Sequence, residues 1–506
     1  MRRLLDLPFL VILMGIGAAA MYVPAVHALA IRQHAVSRAF FYSGTLFLIL
    51  AAMLAIATLN HRPRNAVRSH LVALPLAYLL LPVMLTVPFV EAVRDTTFLN
   101  AWFEMVSCFT TTGATLYDAP GRLPPSVHLW RGLVGWMGGF FVLVTAAAIL
   151  APLNLGGFEV LEPGSVGRSG LGVGQVDRLA DPSDRLVHHT IVLLPAYAGV
   201  TAVLWVGLLI AGDSGLVALM HAMAVLSTSA ISPLPQGITA APSGFAGEVL
   251  VFLGLCVAVT RRSLPGGVRI DSRPQLRRDP EIRMAMFFCL TVPAALFLRH
   301  WLGAIDSDLP DDAAMAVEAL WGAAFTVLSF LTTTGFESAG WHDARIWSGL
   351  ETPGLILLGL AMMGGGVATT AGGVKLFRVY ALYKLGRREM ERLAEPHSVG
   401  GGGVIARRLR NEGAFLAFIF FMLFALTLGA MNLALALAGL GFERALVLSV
   451  AALTTTGPLA HAATGAVQGY GALGDAAKII LAAGMVLGRL ETVVLLALLL
   501  PRTWRR

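Results

Sequence analysis

Charge and cysteine are both scarce in this sequence, and each scarcity excludes a class of protein. Charged residues make up 13% of the 506 residues and hydrophobic residues 57%, a balance typical of polytopic membrane proteins and not of soluble domains of this size. The three cysteines, Cys108, Cys256 and Cys289, have no CxxC spacing and no histidine in register, so we expect neither a disulfide framework nor a metal site. No HExxH motif occurs and the acidic residues are mainly in loops, which argues against an intramembrane enzyme.

The formal net charge of +7 is not gathered into a surface that would bind nucleic acid. Lysine and arginine concentrate in alternate loops between the apolar stretches: Arg62–Arg68, Arg168–Arg185, Arg261–Arg278, Lys384–Arg410 and Arg502–Arg506. This alternation is the positive-inside pattern, and it predicts a multi-pass protein with both termini in the cytoplasm and the lipid bilayer as its environment.

The N-terminus has features of a secretory signal, with Arg2-Arg3 before an apolar run and Ala28-Leu29-Ala30 after it. However, the apolar run from Leu7 to Val26 is about 20 residues long, which is the length of a membrane span rather than of a signal core. We therefore expect an uncleaved helix here.

After two spans, one unit occurs four times: a long apolar span, a short amphipathic stretch, a threonine-rich turn and a second span. The short stretches, at about 10 to 17 residues, are typical of re-entrant helices. They are Phe98–Phe109, Leu216–Leu226, Met315–Leu331 and Phe442–Leu453. The predicted segments are 1–62 for the two extra spans, then 63–155, 156–264, 265–398 and 399–506 for the four repeats. This predicts an all-α polytopic membrane protein of about ten transmembrane helices, with pseudo-fourfold repeats around a central pore.

The turns are the most informative motif. Thr-Thr-Thr-Gly occurs three times, and a degraded copy lies within Ser227–Pro233. Half-helices that enter from outside direct their C-terminal carbonyls, the negative dipole ends, at the membrane centre, where a cation is stabilised. An extended strip then offers oxygens in place of hydration water. An isolated copy would be explained equally by a glycine C-cap. The predicted ion-binding filter comprises Thr110, Thr111, Thr112, Gly113, Ala230, Ile231, Ser232, Pro233, Thr332, Thr333, Thr334, Gly335, Thr454, Thr455, Thr456 and Gly457.

The apolar segment 351–385 is too long for one span and is interrupted by glycines. A helix would break there and leave flexible backbone beneath the filter, although tight helix packing through small residues is the alternative. The residues concerned are Gly364, Gly365, Gly366, Thr369, Thr370, Gly372 and Gly373. Lys375 and Arg489 carry charge at membrane depth. Lys375 either faces the pore or extends to the cytoplasmic surface, and Arg489 either limits conduction or pairs with Glu491 or a loop carbonyl.

The sequence resembles the TrkH/KtrB superfamily of bacterial potassium transporters, and the TrkH branch in particular because two spans precede the repeats. The matching segments include Trp102–Thr115, Trp130–Gly139, Leu331–Ser338, Met363–Lys375, Thr454–Pro458 and Leu487–Glu491, in family order. The resemblance implies a potassium uptake subunit of the bacterial inner membrane, usually a homodimer with one pore per chain. It also implies a gate at the glycine-rich loop and a cytoplasmic, nucleotide-binding TrkA-type partner. K⁺, with no organic cofactor, would lie at Thr111, Ile231, Thr333 and Thr455.

The second repeat departs from the family pattern, because Ser232-Pro233 stands where the family has glycine. Proline gives no positive φ angle, so a weakly selective K⁺/Na⁺ pathway is the alternative function. A secondary transporter with inverted repeats is disfavoured, since the four units enter the membrane the same way round. Asp118, Glu337 and Asp343 follow the turns and either enrich cations at the mouth or lie in solvated loops. His188, His189 and His221 are expected to be packed or interfacial rather than metal ligands.

Overall fold

The computed structural model describes residues 8–59, 66–153, 157, 182–260, 262–263, 279–303, 313–349, 354–395, 412–464 and 469–490. All regular secondary structure within these ranges is helical. The four predicted boundaries between segments, after residues 62, 155, 264 and 398, lie outside the described ranges and stay predictions.

The N-terminal apolar run forms two consecutive helices, α1 (Phe9–Ala20) and α2 (Tyr22–Ala30), which together have the length of one span. The second predicted span is α3 (His34–Thr58). These helices pack on each other and on the first repeat, where Phe40 of α3 stacks edge-on against Trp130 at 5.5 Å. The two extra spans therefore form a layer on one side of the repeats.

Each repeat contains the predicted succession of a span, a pore helix and a second helix. Repeat 1 has α4 (Ala66–Ala92), α5 (Phe98–Phe109) and α6 (Pro125–Thr145). Repeat 2 has α7 (Pro182–Ile210), α8 (Gly215–Ser227) and α9 (Gly244–Leu255). Repeat 3 has α10 (Pro280–Gly303), α11 (Ala313–Leu331), α12 (Trp341–Ser348), α13 (Gly354–Met363) and α14 (Leu376–Ala394). Repeat 4 has α15 (Glu412–Leu437), α16 (Phe442–Leu453), α17 (Leu459–Thr464) and α18 (Asp475–Leu490).

Seven of the described helical segments, with α1 and α2 counted together as one, are long and apolar enough to cross a membrane. The other three predicted spans are shorter: α9 continues as a 3₁₀ turn to Ala258, α13 ends at the glycines, and α18 ends where the described ranges end. The predicted break in 351–385 is confirmed, because residues 364–375 form a non-helical loop between α13 and α14. Large apolar side chains such as Ile210 and Leu437, each 82% exposed, face outward as a lipid-facing surface requires. The all-α polytopic fold is thus confirmed.

The repeats close into a ring. The second helix of each repeat packs against the pore helix of the next: α6 on α8, α9 on α11, α13 on α16, and α18 back on α5. The last contact joins the fourth repeat to the first, where Lys478 donates a 2.8 Å hydrogen bond to Asn100. Since each unit uses its neighbour to bury polar backbone, the four pore helices must converge on a common centre.

Candidate pore and filter

Each pore helix ends in a turn with the same backbone geometry. The second residue of each turn is a threonine in the left-handed region: Thr111 (φ 55°), Thr228 (φ 51°), Thr333 (φ 56°) and Thr455 (φ 53°). A positive φ is a genuine outlier for a β-branched residue, so four equivalent instances indicate a conformation imposed by the surroundings.

Hydroxyl groups before and after the left-handed threonine stabilise this backbone. The residue before this threonine donates its side-chain hydroxyl to the backbone carbonyl four positions earlier in the chain. The same hydroxyl also bonds the hydroxyl of the residue that follows the threonine. The donors Thr110, Ser227, Thr332 and Thr454 lie 2.8–2.9 Å from those carbonyls. The hydroxyl pairs Thr110–Thr112, Ser227–Ser229, Thr332–Thr334 and Thr454–Thr456 lie 2.8–3.1 Å apart. The first and third hydroxyls therefore hold the turn in every repeat, whereas the second does so only in repeat 2, where Thr228 donates to Ser227 O at 2.8 Å.

This pattern corrects the predicted register of repeat 2. The turn is Ser227-Thr228-Ser229-Ala230, because Ser229 N bonds Ala224 O five residues back just as Thr112 N bonds Ser107 O. Ala230, with φ 47°, stands in the glycine position, and Ser232-Pro233 lies beyond it, so that part of the sequence prediction was wrong. Because repeat 2 has no glycine in its turn, the sequence pattern left the register undetermined, and the end of the pore helix with its hydroxyl bonds sets it. Thr228 takes the place that had been predicted for Ile231.

The four turns meet at one cavity. Gly113, Ala230, Gly335 and Gly457, one from each repeat, line a space of about 830 Å³. Neighbouring turns touch: Gly457 N donates to Thr112 O at 2.6 Å, and a Cβ on Gly113 would overlap the carbonyl oxygen of Ser229. The turns therefore lie at one depth around a shared axis, as the pseudo-fourfold prediction requires.

This cavity, which we call the vestibule, is also lined by charged and titratable side chains, among them Asp118, Glu337, His342, Arg345 and His461. Two of the three acidic residues predicted at the mouth, Asp118 and Glu337, are thus placed there, whereas Asp343 is not among the lining residues.

Polar residues that the sequence analysis did not identify anchor the strand that follows each turn. Six positions before the first residue of the turn, Glu104 accepts from Leu116 N at 3.1 Å, and Thr326 accepts from Ser338 N at 3.3 Å. At the same position His221 bonds the Ser232 hydroxyl at 2.9 Å. The sequence feature that indicates these anchors is a polar residue at the same position of otherwise apolar pore helices. His221 is packed as predicted, and no cluster of metal-ligating side chains occurs in the part of the chain that the structure describes.

Repeats 1 and 4 have further anchors. Glu104 is fully buried and forms a 2.6 Å ion pair with Arg131 of α6, which compensates the burial of both charges. In repeat 4 the pore helix has Leu448 at the equivalent position, and the Tyr470 hydroxyl instead donates to Gly457 O at 2.8 Å. In each repeat a different side chain thus anchors the turn or the strand that follows it.

The loop 364–375 lies directly below the turns, on the side opposite the vestibule. Its contacts reach every repeat. Thr370 donates to Leu226 O at 2.9 Å in repeat 2, and Gly372 N donates to the Thr333 hydroxyl at 2.6 Å in repeat 3. Arg489 of repeat 4 bridges Thr370 O at 2.6 Å and Thr110 O of repeat 1 at 2.8 Å.

The glycines of this loop are required by its geometry. Gly364 and Gly373 each have φ 75°, and a Cβ on Gly372 would lie 2.5 Å from the Thr455 hydroxyl. A helix packing through small residues, the alternative interpretation, does not describe this loop.

The two charged residues turn inward. Lys375 is 6% exposed and donates from Nζ to Ala371 O, so it does not extend to the surface. Arg489 bonds loop and filter carbonyls, which was one of its predicted alternatives, while Glu491 lies outside the described ranges. Both cations therefore lie on the same side of the turns as the loop.

A closed ring of re-entrant helices, with polar turns that converge on a cavity and a loop beneath them, defines a pore-forming membrane transport protein. The family model for TrkH, described as a cation transport protein, matches residues 284–503. The chain is 30% identical over 437 residues to the Trk system potassium uptake protein TrkI of Halomonas elongata, covering 83% of this chain and 81% of that protein. It is 29% identical over 495 residues to TrkH of Escherichia coli K12, covering 96% of each.

The crystal structure of the potassium transporter TrkH from Vibrio parahaemolyticus superposes with a TM-score of 0.79 at 24% identity, over all of both chains, which supports the fold. The chain belongs to the TrkH family of cation transport proteins. The predicted family and its class, a transporter and not an enzyme, are confirmed.

Proposed function

We propose that this chain takes up K⁺ through the four-turn filter, driven by the membrane potential and gated by the loop 364–375. The observation that carries the proposal is the convergence of four equivalent turns on one cavity, with the left-handed threonine repeated in each. That its relatives TrkI and TrkH are named potassium uptake proteins supports the choice of ion.

The chemistry of the turns suits a dehydrated monovalent cation. Four pore helices end at the filter, and their terminal carbonyls carry the negative dipole ends. The hydroxyls of Thr111 and Thr455 are buried and have no hydrogen-bond partner among the described residues, so they are available to an ion. Carbonyl and hydroxyl oxygens of this kind replace the hydration shell of K⁺. Thr111, Thr228, Thr333 and Thr455 are therefore the residues we expect nearest the ion.

The loop holds the pathway shut in the conformation described. It bonds repeats 2, 3 and 4 directly. Arg489, which also bonds the loop, places a guanidinium within hydrogen-bond distance of Thr110 O of repeat 1, where its charge repels an entering cation. Conduction then requires the loop to move away from the turns. Once it has moved, the potential contributes about 2.3 kcal/mol per charge per 100 mV, enough to accumulate K⁺.

The setting follows from the charge pattern and the family. We place the protein in the bacterial inner membrane with both termini in the cytoplasm and the vestibule outside. We further propose a homodimer with one pore per chain, regulated by a TrkA-like nucleotide-binding subunit that acts on the cytoplasmic side.

Flux into vesicles of phosphatidylethanolamine and phosphatidylglycerol containing the purified chain tests the proposal. We expect K⁺ uptake driven by an imposed potential, with much slower Na⁺ uptake. Equal rates for the two ions would favour the alternative, a weakly selective K⁺/Na⁺ pathway, for which Ala230 in a glycine position is the motivating feature.

A shut gate would hide transport in such vesicles, so a second variant is needed. Arg489→Ala removes both bonds from α18 to the loop and filter and should raise flux. Arg392→Ala, which alters an exposed arginine of α14, is the matched control and should leave flux unchanged. Absence of cation flux in the folded Arg489→Ala protein would refute the proposal.

A further inference from the structure

A second polar network lies on the side of the loop that faces away from the filter, and its centre is Glu281. This residue is in the first turn of α10 and is fully buried. One carboxylate oxygen, Oε1, accepts from Val367 N of the loop at 2.8 Å. The other, Oε2, accepts from the Thr260 hydroxyl just beyond α9 at 3.2 Å. One side chain thus joins the loop to the junction of repeats 2 and 3.

The same junction is tied to the cytoplasmic connection between α9 and α10. Asp279 caps α10 by accepting from Glu281 N at 3.0 Å, and Arg262 Nε lies 3.2 Å from the second oxygen of Asp279. Asp279 is buried, so this ion pair is shielded from screening by salt. The contacts run continuously from Arg262 through Asp279 and Glu281 to Val367.

Backbone contacts also attach the loop directly to the residues that follow α9. Gly366 N donates to Ala258 O at 3.1 Å, and a Cβ on Gly366 would lie 2.8 Å from the carbonyl carbon of Val259. The Val367 side chain is buried in a small apolar cluster with Ala151 of repeat 1 and Ala417 of repeat 4. This half of the loop is therefore fixed to the cytoplasmic ends of the surrounding helices, while Thr370 and Gly372 contact the filter.

We propose that Glu281 is the positioning residue that latches the loop in its shut conformation and passes movements of Arg262 and Asp279 to it. The inference rests on the proposed function and names how that gate is controlled. In the shut conformation Val367 N depends on a buried carboxylate, and an amide left unpaired there is costly. When the loop moves into a water-filled pore, water can satisfy the amide. Loss of the carboxylate therefore penalises the shut conformation selectively.

The test compares K⁺ flux into the same vesicles for Glu281→Ala and Glu281→Gln. Glu281→Ala should raise basal flux roughly tenfold, the change in equilibrium that loss of one charge-assisted hydrogen bond produces. Glu281→Gln keeps a carbonyl acceptor for Val367 N and should restore flux most of the way to wild type, which also keeps the test valid if the alanine variant does not fold. The K⁺/Na⁺ ratio should not change in either. Glu389→Ala, on the exposed face of α14, is the matched control.

A double-mutant cycle tests the relay through Asp279. Asp279→Asn should also raise K⁺ flux. The double variant with Glu281→Ala should have a flux only slightly above that of the more active single variant, because both substitutions act through one path. Wild-type basal flux in Glu281→Ala, or effects that multiply in the double variant, would overturn the latch while leaving K⁺ transport intact. Absence of K⁺ flux in Arg489→Ala as well would point to failure of the proposed function instead.

Discussion

Gly372 offers a direct test of the shut conformation, because no side chain fits between the loop and the filter there. A Cβ at this position would lie 2.5 Å from the Thr455 hydroxyl and 2.9 Å from the carbonyl carbon of Thr454. Ordinary van der Waals contact begins near 3.4 Å, so Gly372→Ala must displace the loop by about 0.9 Å or more. The nearest atom is the carbonyl oxygen of Thr454, which belongs to the backbone and cannot yield as the end of a flexible side chain would.

That displacement breaks the 2.6 Å bond from Gly372 N to the Thr333 hydroxyl. The net loss is about 1 kcal/mol, and the unpaired buried amide adds to it. A penalty of about 1 kcal/mol on the shut conformation alone shifts the equilibrium toward the open one about fivefold. We therefore expect basal K⁺ flux in vesicles to rise by at least that factor.

Gly359→Ala is the matched control, since a Cβ at that position of α13 has nothing within 4 Å. It should leave flux unchanged and stabilise the helix slightly. Wild-type flux in a folded Gly372→Ala protein would refute the view that contact between loop and filter shuts the pore.

Three further variants probe the filter and its supports. Gly113→Ala should lower the K⁺/Na⁺ flux ratio, because its methyl group overlaps the neighbouring turn. Gly121→Ala, whose methyl group lies in open space, should leave the ratio unchanged. An unchanged ratio in Gly113→Ala would count against a filter at this turn. Glu104→Gln leaves a buried guanidinium without its counter-charge and should cost about 3 kcal/mol or more, measured as a lower unfolding temperature in detergent. An unchanged unfolding temperature would show that the pair is not needed. Tyr470→Phe removes the bond to Gly457 O and should cost about 1 kcal/mol and some selectivity, and equal stability and selectivity would contradict this.

Local features of the sequence determined the architecture of the repeats. Apolar length separated spans from pore helices, and the predicted half-helices Phe98–Phe109 and Phe442–Leu453 match α5 and α16 at both ends. The glycines of 364–373 predicted a helix break, because glycine both weakens helices and permits positive φ. These properties depend on a few neighbouring residues, so the sequence alone was sufficient.

Contacts between distant residues were decided only by the tertiary structure. The register of repeat 2 depends on hydroxyl bonds at the end of α8, and no glycine marks it in the sequence. Arg489 bonds Thr110, which is 379 positions away, and Glu281 bonds Val367 across 86. Such pairs form because ring closure brings separate repeats together at one depth, where buried backbone groups must find partners. The sequence supplied those polar groups, and only the closed ring determined which of them would meet.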